Sequence, residues 1–534
     1  GALQVVEAVV DAADIAGIAR LAPVLHVGRS GTRWQLEDEG STQILAGNVM
    51  NGQPVPGYET FLSNLGLDGQ GVKIAVVDDG IDDTHPEFFG RGVQRVTYGP
   101  FSQGPPEGHG THVAGIIGGR GATVGTMRIR DGDGLLYGLG VAPAVSLIDQ
   151  PAIQITHTTL GDFPPTGGFE VYTRDAVRLG AIGWNASWTD GGGTGVGYNA
   201  GAANLDALTR DADTATPGLQ PFTFVFSAGN SGSSGSTSRI TSPKEAKNII
   251  SVASSRGHRA GDIDTISSFS SRGPARDGRV APTVTAPGET IISARAATGV
   301  LCTVPLSGVN DAPPADGLTL YTGCSGTSMA SPHVAGAVAL IHDWWRERNG
   351  GRDPSPAMDK ALLVNTATDL KAPDIPNRNE GWGRVNLRAL FDPQAARIYT
   401  DESVVLSDLG EAHSLNVTPA DPTQPLKATL VWTDPPGVPA ETPSTPALVN
   451  DLDLTVLTDT GITYRGNTFK AGQSLPDGPP DRRNNVENVF LASPSGSYRI
   501  SVTAANLPAD GAPELGDQTD QSFALVISNA ILAA

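Results

Sequence analysis

The sequence predicts a two-part chain: an α/β unit on a mostly parallel sheet with helices on both faces, then an antiparallel β-sandwich. Its 534 residues exceed one ordinary domain. From Gly57 to about Asp392, strand-like apolar runs alternate with helical patterns, the order that builds a covered parallel sheet. After Pro393, short alternating strands follow one another between Pro, Gly and Asp turns with no helical pattern among them, as in a sandwich. The predicted divisions are residues 1–50, 51–395 and 396–534.

Taken in order, the first segment holds an Ala/Ile-rich helical pattern, Asp11 to Leu21, a strand-like Val24–Val27 and a polar stretch. It has too little apolar surface to fold alone. In the central region Lys73–Val77, Ser146–Ile148, Phe222–Phe226, Asn248–Ala253 and Thr283–Ala286 read as buried strands. Val113–Gly118, Arg174–Leu179 and Ser331–Trp345 read as helices, and Gly191–Gly197 and Ser231–Gly235 as surface loops. In the last region Leu426–Trp432, Leu452–Leu457, Val489–Ala492, Ser497–Val502 and Phe523–Ser528 have the period of strands with one buried face.

Acids exceed bases by 56 to 36, a net charge of −20 that repels nucleic acid and anionic membranes, so neither is expected as a partner. The same charge attracts cations such as calcium. No apolar run approaches the roughly 20 residues that span a bilayer, and a chain opening at Gly1 without a Met reads as processed. Its two cysteines, Cys302 and Cys324, suit a disulfide closing the loop between them in an oxidising compartment, or two buried thiols.

Four words at expected strand ends carry the chemistry. Ile74-Ala-Val-Val-Asp78-Asp-Gly-Ile81 is a buried strand that delivers an acid where it leaves the sheet. Gly108-His109-Gly-Thr-His-Val-Ala-Gly115 places a histidine at the start of a small-residue helix, and Phe224-Val-Phe-Ser-Ala-Gly-Asn230 ends a strand in an amide. Gly326-Thr-Ser328-Met-Ala-Ser-Pro-His-Val-Ala-Gly336 sets a serine at the mouth of an apolar helix. Ligands gather at the carboxyl ends of parallel strands, so these words converge in space. A serine hydroxyl needs a base to accept its proton during attack, and His109 supplies one near neutral pH. Asp78 orients that imidazole. Asn230 and the Ser328 N–H, at a helix start, serve a developing oxyanion.

The order Asp, His, Asn, Ser with these flanking words resembles the subtilisin-like serine proteases over about residues 60–395. Phe269-Ser-Ser-Arg-Gly-Pro274 and Thr285-Ala-Pro-Gly288 are lesser matches. The resemblance implies a secreted, monomeric endopeptidase that acts on proteins or peptides, with no organic cofactor and with structural calcium. It implies a substrate-pairing strand at Asn185-Ala-Ser187-Trp188-Thr189 facing Ser227, Ala228 and Gly229, with large or apolar side chains before the scissile bond. Two positions depart from the family pattern: Asp79, where Ser or Thr is usual, and Thr189, where Gly is. Val24-Leu-His-Val27 resembles the tail of a propeptide. Leu430-Val-Trp-Thr-Asp-Pro435, Leu448-Val-Asn-Asp-Leu-Asp-Leu454 and Asn484-Asn-Val-Glu-Asn488 resemble the jelly-roll-like domain of large alkaline, oxidatively stable subtilases.

Plainer readings accompany these. His112 and His333 are expected to pack beside the active helices, and Met329 to pack while offering a thioether to oxidants. Asn450, Asp451, Asp453, Asn485 and Glu487 form an oxygen-rich set suited to calcium, although such residues are also common at turns. No His-Glu-x-x-His word supports zinc chemistry. An esterase or amidase using the same triad, and a non-catalytic binding protein on this scaffold, are the rival functions.

Overall fold

The computed structural model describes residues 39–98, 102, 104–124, 127–130, 133–153, 168–190, 193–233, 235–302, 320–371, 373–439, 445–515 and 517–533. The helix expected at Asp11–Leu21 and the strand at Val24–Val27 lie outside the described residues. Seven strands form the central sheet: β1 (Lys73–Asp78), β2 (Gln94–Arg95), β3 (Ser146–Pro151), β4 (Gly183–Ala186), β5 (Thr223–Ser227), β6 (Ile250–Arg256) and β7 (Val284–Glu289). Their order is β7-β6-β5-β4-β1-β3-β2, and every pairing is parallel. Between β3 and β4 the chain crosses from one side of β1 to the other. That reversal opens a crevice at the carboxyl end of β1, and Asp78 is the last residue of that strand.

Both faces of the sheet are covered, so its strands read as continuous apolar runs. Ile74 and Val76 face a core shared with α3 (His109–Gly118) and α6 (Thr327–Arg348), which follow α1 (Glu39–Leu45) and α2 (Tyr58–Leu65) in the chain. Ala75 and Val77 face the other way, toward α4 (Phe169–Arg178) and α5 (Ala200–Arg210). Asn199 caps α5 through Ala202 N at 3.0 Å, and Ser355 caps α7 (Pro356–Thr366) through Met358 N at 3.0 Å. Pro356 opens α7, where its missing N–H costs nothing.

Residues 39–46, inside the segment read from sequence as an N-terminal extension or propeptide remnant, are buried. All of α1 is buried, and the Glu39 carboxylate accepts Tyr58 N at 3.2 Å and Leu136 N at 2.6 Å. A buried carboxylate answered by backbone N–H groups ties this short helix to two distant segments.

A two-stranded pair, β8 (Ile291–Ala294) and β9 (Tyr321–Cys324), leads into α6. The C-terminal region then forms two sheets from β10 (Arg397–Leu406), β11 (Ala412–Pro419), β12 (Leu426–Val431), β13 (Asp451–Thr458), β14 (Thr463–Lys470), β15 (Gln473–Pro476), β16 (Val486–Leu491), β17 (Tyr498–Asn506), β18 (Asp520–Ser528) and β19 (Ala530–Leu532). Their orders are β10-β18-β12-β16 and β15-β14-β13-β17-β11-β19, with antiparallel neighbours throughout these two paths. Leu430, Trp432, Leu454, Ile500 and Phe523 fill the space they share.

The two regions are fused rather than tethered. Helix α7 is buried along its whole length and packs on β12 and β18. Trp382 of the first region meets Phe469 and Phe490 of the second, with ring centroids 5.5 and 6.0 Å apart. Lys247, without solvent exposure, pairs with Asp434 across the interface and lies 3.8 Å from Asp206. Asp434 also accepts Asn450 N at 2.7 Å and Val449 N at 3.0 Å. Removing one member of a buried pair strands the other, at about 3–5 kcal/mol. Asp434→Ala is therefore expected to cost about that much in urea unfolding. A loss well under 1 kcal/mol would show that Asp206 alone satisfies Lys247.

Candidate active site

The strand–turn–helix path from β1 to α3 sets His109 beside Asp78. Gly110 makes the approach possible, since a Cβ there would lie 2.6 Å from Gly80 O. His109 Nδ1 sits 2.7 Å from Asp78 Oδ1, and that oxygen also accepts Asp79 N at 2.9 Å. Asp79, the departure noted in sequence, takes up the start of α3: its carboxylate accepts His109 N at 2.9 Å and Gly110 N at 2.6 Å. A carboxylate on the free N–H groups of a helix N-terminus is well placed electrostatically.

These charges set the imidazole. Burial disfavours its cation, but the Asp78 carboxylate, its hydrogen bond and Asp79 outweigh burial and raise His109 to about 9. Burial and then the Asp78 charge push Asp79 up, against His109 and the two backbone N–H groups. The two further histidines of these motifs behave as packing groups. His112 Nε2 lies 3.2 Å from Ile291 O and 3.1 Å from Thr322 O, and His333 bridges Met329 O (2.7 Å) and Ser41 Oγ (2.8 Å). Burial lowers them to about 3 and about 4. Met329 is 1 % exposed, so its thioether is shielded rather than offered to oxidants.

Ser328 is held by its neighbour across the crevice. Its Oγ donates to Ser187 O at 3.0 Å, and Ser187 Oγ donates to Ser328 O at 3.0 Å. The second bond follows from sequence: the helical partner of Ser328 O is the N–H four residues on, and Pro332 has none. Asn185 continues the network, with Nδ2 3.0 Å from Ser187 Oγ and Oδ1 accepting Ser331 Oγ at 2.5 Å. The next side chain links this network to the acid, because Trp188 Nε1 donates to Val77 O at 2.8 Å, one residue before Asp78.

Asn230 follows β5 and faces the first turn of α6. Its Oδ1 accepts Thr327 N at 2.8 Å and Thr327 Oγ1 at 2.9 Å, which turns Nδ2 outward as a free donor. Ser328 N, in the opening turn of a helix, has no intrahelical acceptor. Two donors thus border the space in front of Ser328.

The expected substrate segments divide. Ser187 and Thr189 emerge beyond β4, where Thr189 is exposed, while the Trp188 ring is only 8 % exposed and belongs to the core. Trp188 therefore offers backbone alone. Ser227, Ala228 and Gly229 end β5, buried beside Asn230. Cys302 and Cys324 form a disulfide. It anchors the segment whose Val300 and Leu301 N–H groups both hold Glu107 O, at 2.8 and 2.9 Å, two residues before His109.

Of the calcium ligands expected at Asn450, Asp451, Asp453, Asn485 and Glu487, the three acids do not gather as one group within 4.8 Å, although Asp451 Oδ1 and Glu487 Oε1 are buried without a partner among the described residues. Arg482 answers Asp451 at 3.1 Å and pairs with Asp453. Asn450 Oδ1 accepts Ala509 N at 3.2 Å, and Asn485 Nδ2 donates to Trp432 O at 2.9 Å. Glu487 is buried and accepts Leu454 N at 2.7 Å, burial pushing its carboxyl well up. Asp451 and Asp453 reach the same Arg482, a partner that strand alternation does not reveal. Among the described residues a different set gathers: oxygens of Asp369, Asp374 and Glu380 lie within 4.8 Å of one another.

A family model described as the subtilase family matches residues 69–383, more than half of the chain, and the chain belongs to that family. Subtilisin of Bacillus pumilus is 31 % identical over 341 residues, 61 % of this chain and 94 % of that protein. Serine protease/ABC transporter B family protein tagA of Dictyostelium discoideum is 31 % identical over 262 residues, 45 % of this chain but 14 % of that protein. The chain also spans only 59 % of subtilisin E from Bacillus subtilis. The solved structure of fervidolysin from Fervidobacterium pennivorans, a keratinolytic enzyme related to subtilisin, covers 82 % of this chain and 53 % of its own, at 24 % identity and a TM-score of 0.42.

The site electrostatics are directly measurable. In an NMR titration His109 is expected to take its proton near pH 9. Asp79→Asn removes a charge that favours the imidazolium, so the titration moves to lower pH; an unchanged midpoint refutes the role given to Asp79.

Proposed function

We propose that the protein is a secreted serine endopeptidase, with Ser328 as nucleophile, His109 as general base and acid, Asp78 as its orienting group and Asn230 in the oxyanion hole. The observation that carries this reading is the 2.7 Å bond between His109 Nδ1 and Asp78 Oδ1 at the carboxyl end of β1. His109 opens α3, which packs on α6, the helix whose first turn holds Ser328 and faces Asn230. Ser328 Oγ leaves the Ser187 carbonyl for His109 Nε2, which takes its proton as the oxygen attacks the scissile carbonyl. Asp78 holds the imidazole in the needed tautomer and stabilises the cation that forms. Ser328 N–H and Asn230 Nδ2 receive the oxyanion. His109 then protonates the leaving amine, and water attacks the acyl-enzyme with His109 again as base.

Secretion is supported by the disulfide, which persists in oxidising compartments. Among the described residues no helix is long and apolar enough to cross a membrane. The proposed division places the catalytic unit up to about residue 395 and the sandwich at 396–534. The partners are proteins or peptides, met by a monomer; the acidic surface argues against nucleic acid and anionic membranes.

Calcium fits the all-oxygen cluster at Asp369, Asp374 and Glu380. The Asp369 Oδ1 atom is buried without a partner, and burial with the charges of Asp369 and Asp374 pushes Glu380 up to about 7. The neutral Asn377 amide joins Asp374 (2.7 Å) and Glu380 (2.8 Å), and Lys427 acts on Asp369 as a charge without a direct bond. These three carboxylates would hold the ion, and its contribution is to the stability of the folded state.

Purified chain is expected to cleave casein, and Ser328→Ala or a fluorophosphonate to abolish cleavage. Silence of an untreated chain that also fails to take up the phosphonate would favour a binding role. Turnover of small esters without casein would favour an esterase. Asn230→Leu is expected to lower kcat by roughly 10²–10³, the loss known for a subtilisin lacking one such donor, with little change in KM. Only neutral His109 accepts a proton, so kcat/KM falls as pH drops through about 9. Excess EGTA is expected to lower Tm in the wild type and not in Asp374→Asn; equal responses would remove the calcium assignment.

A further inference from the structure

Two segments border the place of the side chain that precedes the scissile bond: Ser187–Thr189 beyond β4 and Ser227–Gly229 at the end of β5. One turn, Thr241–Lys244, joins them from beneath. Thr189 Oγ1 donates to Ser242 O at 2.8 Å, and Asp190 N donates to the same oxygen at 3.4 Å. On the other wall Thr241 N donates to Ala228 O at 3.3 Å, and a Cβ on Gly229 would lie 2.6 Å from Thr241 Oγ1.

Lys244 occupies that corner. Its Nζ lies 2.8 Å from Thr241 Oγ1 and 3.5 Å from Ser227 Oγ, and the residue is 3 % exposed. Among the described residues its hydrogen-bond partners are these hydroxyls alone. Asp190 acts only as a more distant charge, its Oδ2 accepting Ser242 Oγ at 2.8 Å. Three residues on, the equally buried Lys247 meets Asp434 directly and has Asp206 nearby. An ammonium taken out of water needs a counter-charge, and Lys244 lacks the adjoining carboxylate that Lys247 has.

We propose that an acidic substrate side chain supplies that carboxylate: Lys244 determines specificity at the floor of the pocket, and the enzyme cleaves after Glu or Asp. The inference rests on the endopeptidase reading above and replaces the large or apolar preference that the family resemblance implies. The neutral hydroxyls of Thr241 and Ser227 complete the polar floor, and neither supplies a competing charge. Burial holds the Lys244 amine down to about 7, and an incoming carboxylate opposes that shift.

The test is a set of internally quenched peptides, identical except for Glu, Asp, Gln, Leu, Phe or Lys before the scissile bond. Wild type is expected to favour Glu over Gln by roughly 10- to 100-fold in kcat/KM, the scale of one hydrogen bond between charged partners. Lys244→Met is expected to bring that ratio near one and to raise the relative rate for Leu, whereas Lys244→Arg keeps the acidic preference. The Glu/Gln comparison on wild type decides even where a buried substitution impairs folding. Glu no better than Gln, in an enzyme that cleaves Leu or Phe peptides, overturns the specificity proposal alone. No cleavage of any peptide, with Ser328 unlabelled by a fluorophosphonate, overturns the endopeptidase reading and this proposal with it.

Discussion

The placement of α6 is the constraint on which the rest depends. It buries nearly every residue from Thr327 to Trp345 and must lie close under the sheet with few large side chains between. Small residues make that possible: Ala330, Ala335, Ala337 and Ala339 are fully buried, and a Cβ on Gly336 would lie 2.6 Å from Val141 Cβ. Close packing of this kind leaves little freedom of position. One end of the helix therefore fixes Ser328 in the crevice. At the other, Trp344 and Trp345 meet Tyr399 of β10, with centroids 6.0 and 5.6 Å apart. A displacement of the sandwich thus reaches the nucleophile through one rigid element.

Charge inside the molecule follows a single logic with different outcomes. Lys247 and Asp434 neutralise each other at the interface, and further backbone donors complete the carboxylate. At the active site the balance is left unequal, since two carboxylates, Asp78 and Asp79, face one imidazole. Asp79 is held by the helix N-terminus, so its charge has a structural use as well as an electrical one. The result is an imidazole with a strong preference for its cation. That suits the step in which the cation forms and restricts the free enzyme at lower pH.

Much of this was legible in the sequence. Apolar runs marked β1, β3, β5, β6 and β7 to within a few residues, because strands covered on both faces must be apolar throughout. The words around Asp78, His109, Asn230 and Ser328 do fall at strand and helix ends, since each requires an unusual residue there. What escaped depended on long-range partners. Helix α1 reads as polar because Glu39 and Gln43 are answered by groups distant in sequence or by each other. The Trp188 ring turns into the core because Val77 O, far off in sequence, holds its indole. The acids at Asp451 and Asp453 gave no hint of Arg482, and Lys244 lies in a Ser-Pro-Lys turn with no periodicity to mark its direction.

The position of the Ser328 hydroxyl shows how local sequence shapes a resting state. Pro332 removes one helical hydrogen bond, which frees Ser328 O for Ser187 Oγ, and the reciprocal bond draws Ser328 Oγ toward Ser187 O. Ser328 and the segment beyond β4 are thereby joined by two reciprocal bonds. In the proposed mechanism, attack requires the Ser328 hydroxyl to leave the Ser187 carbonyl for His109. Neutral His109 offers an acceptor at Nε2; the imidazolium offers none. The protonation state of His109 therefore decides both whether a base is present and which oxygen or nitrogen the serine proton faces. The charges that Asp78 and Asp79 place around the imidazole act on the nucleophile through that choice.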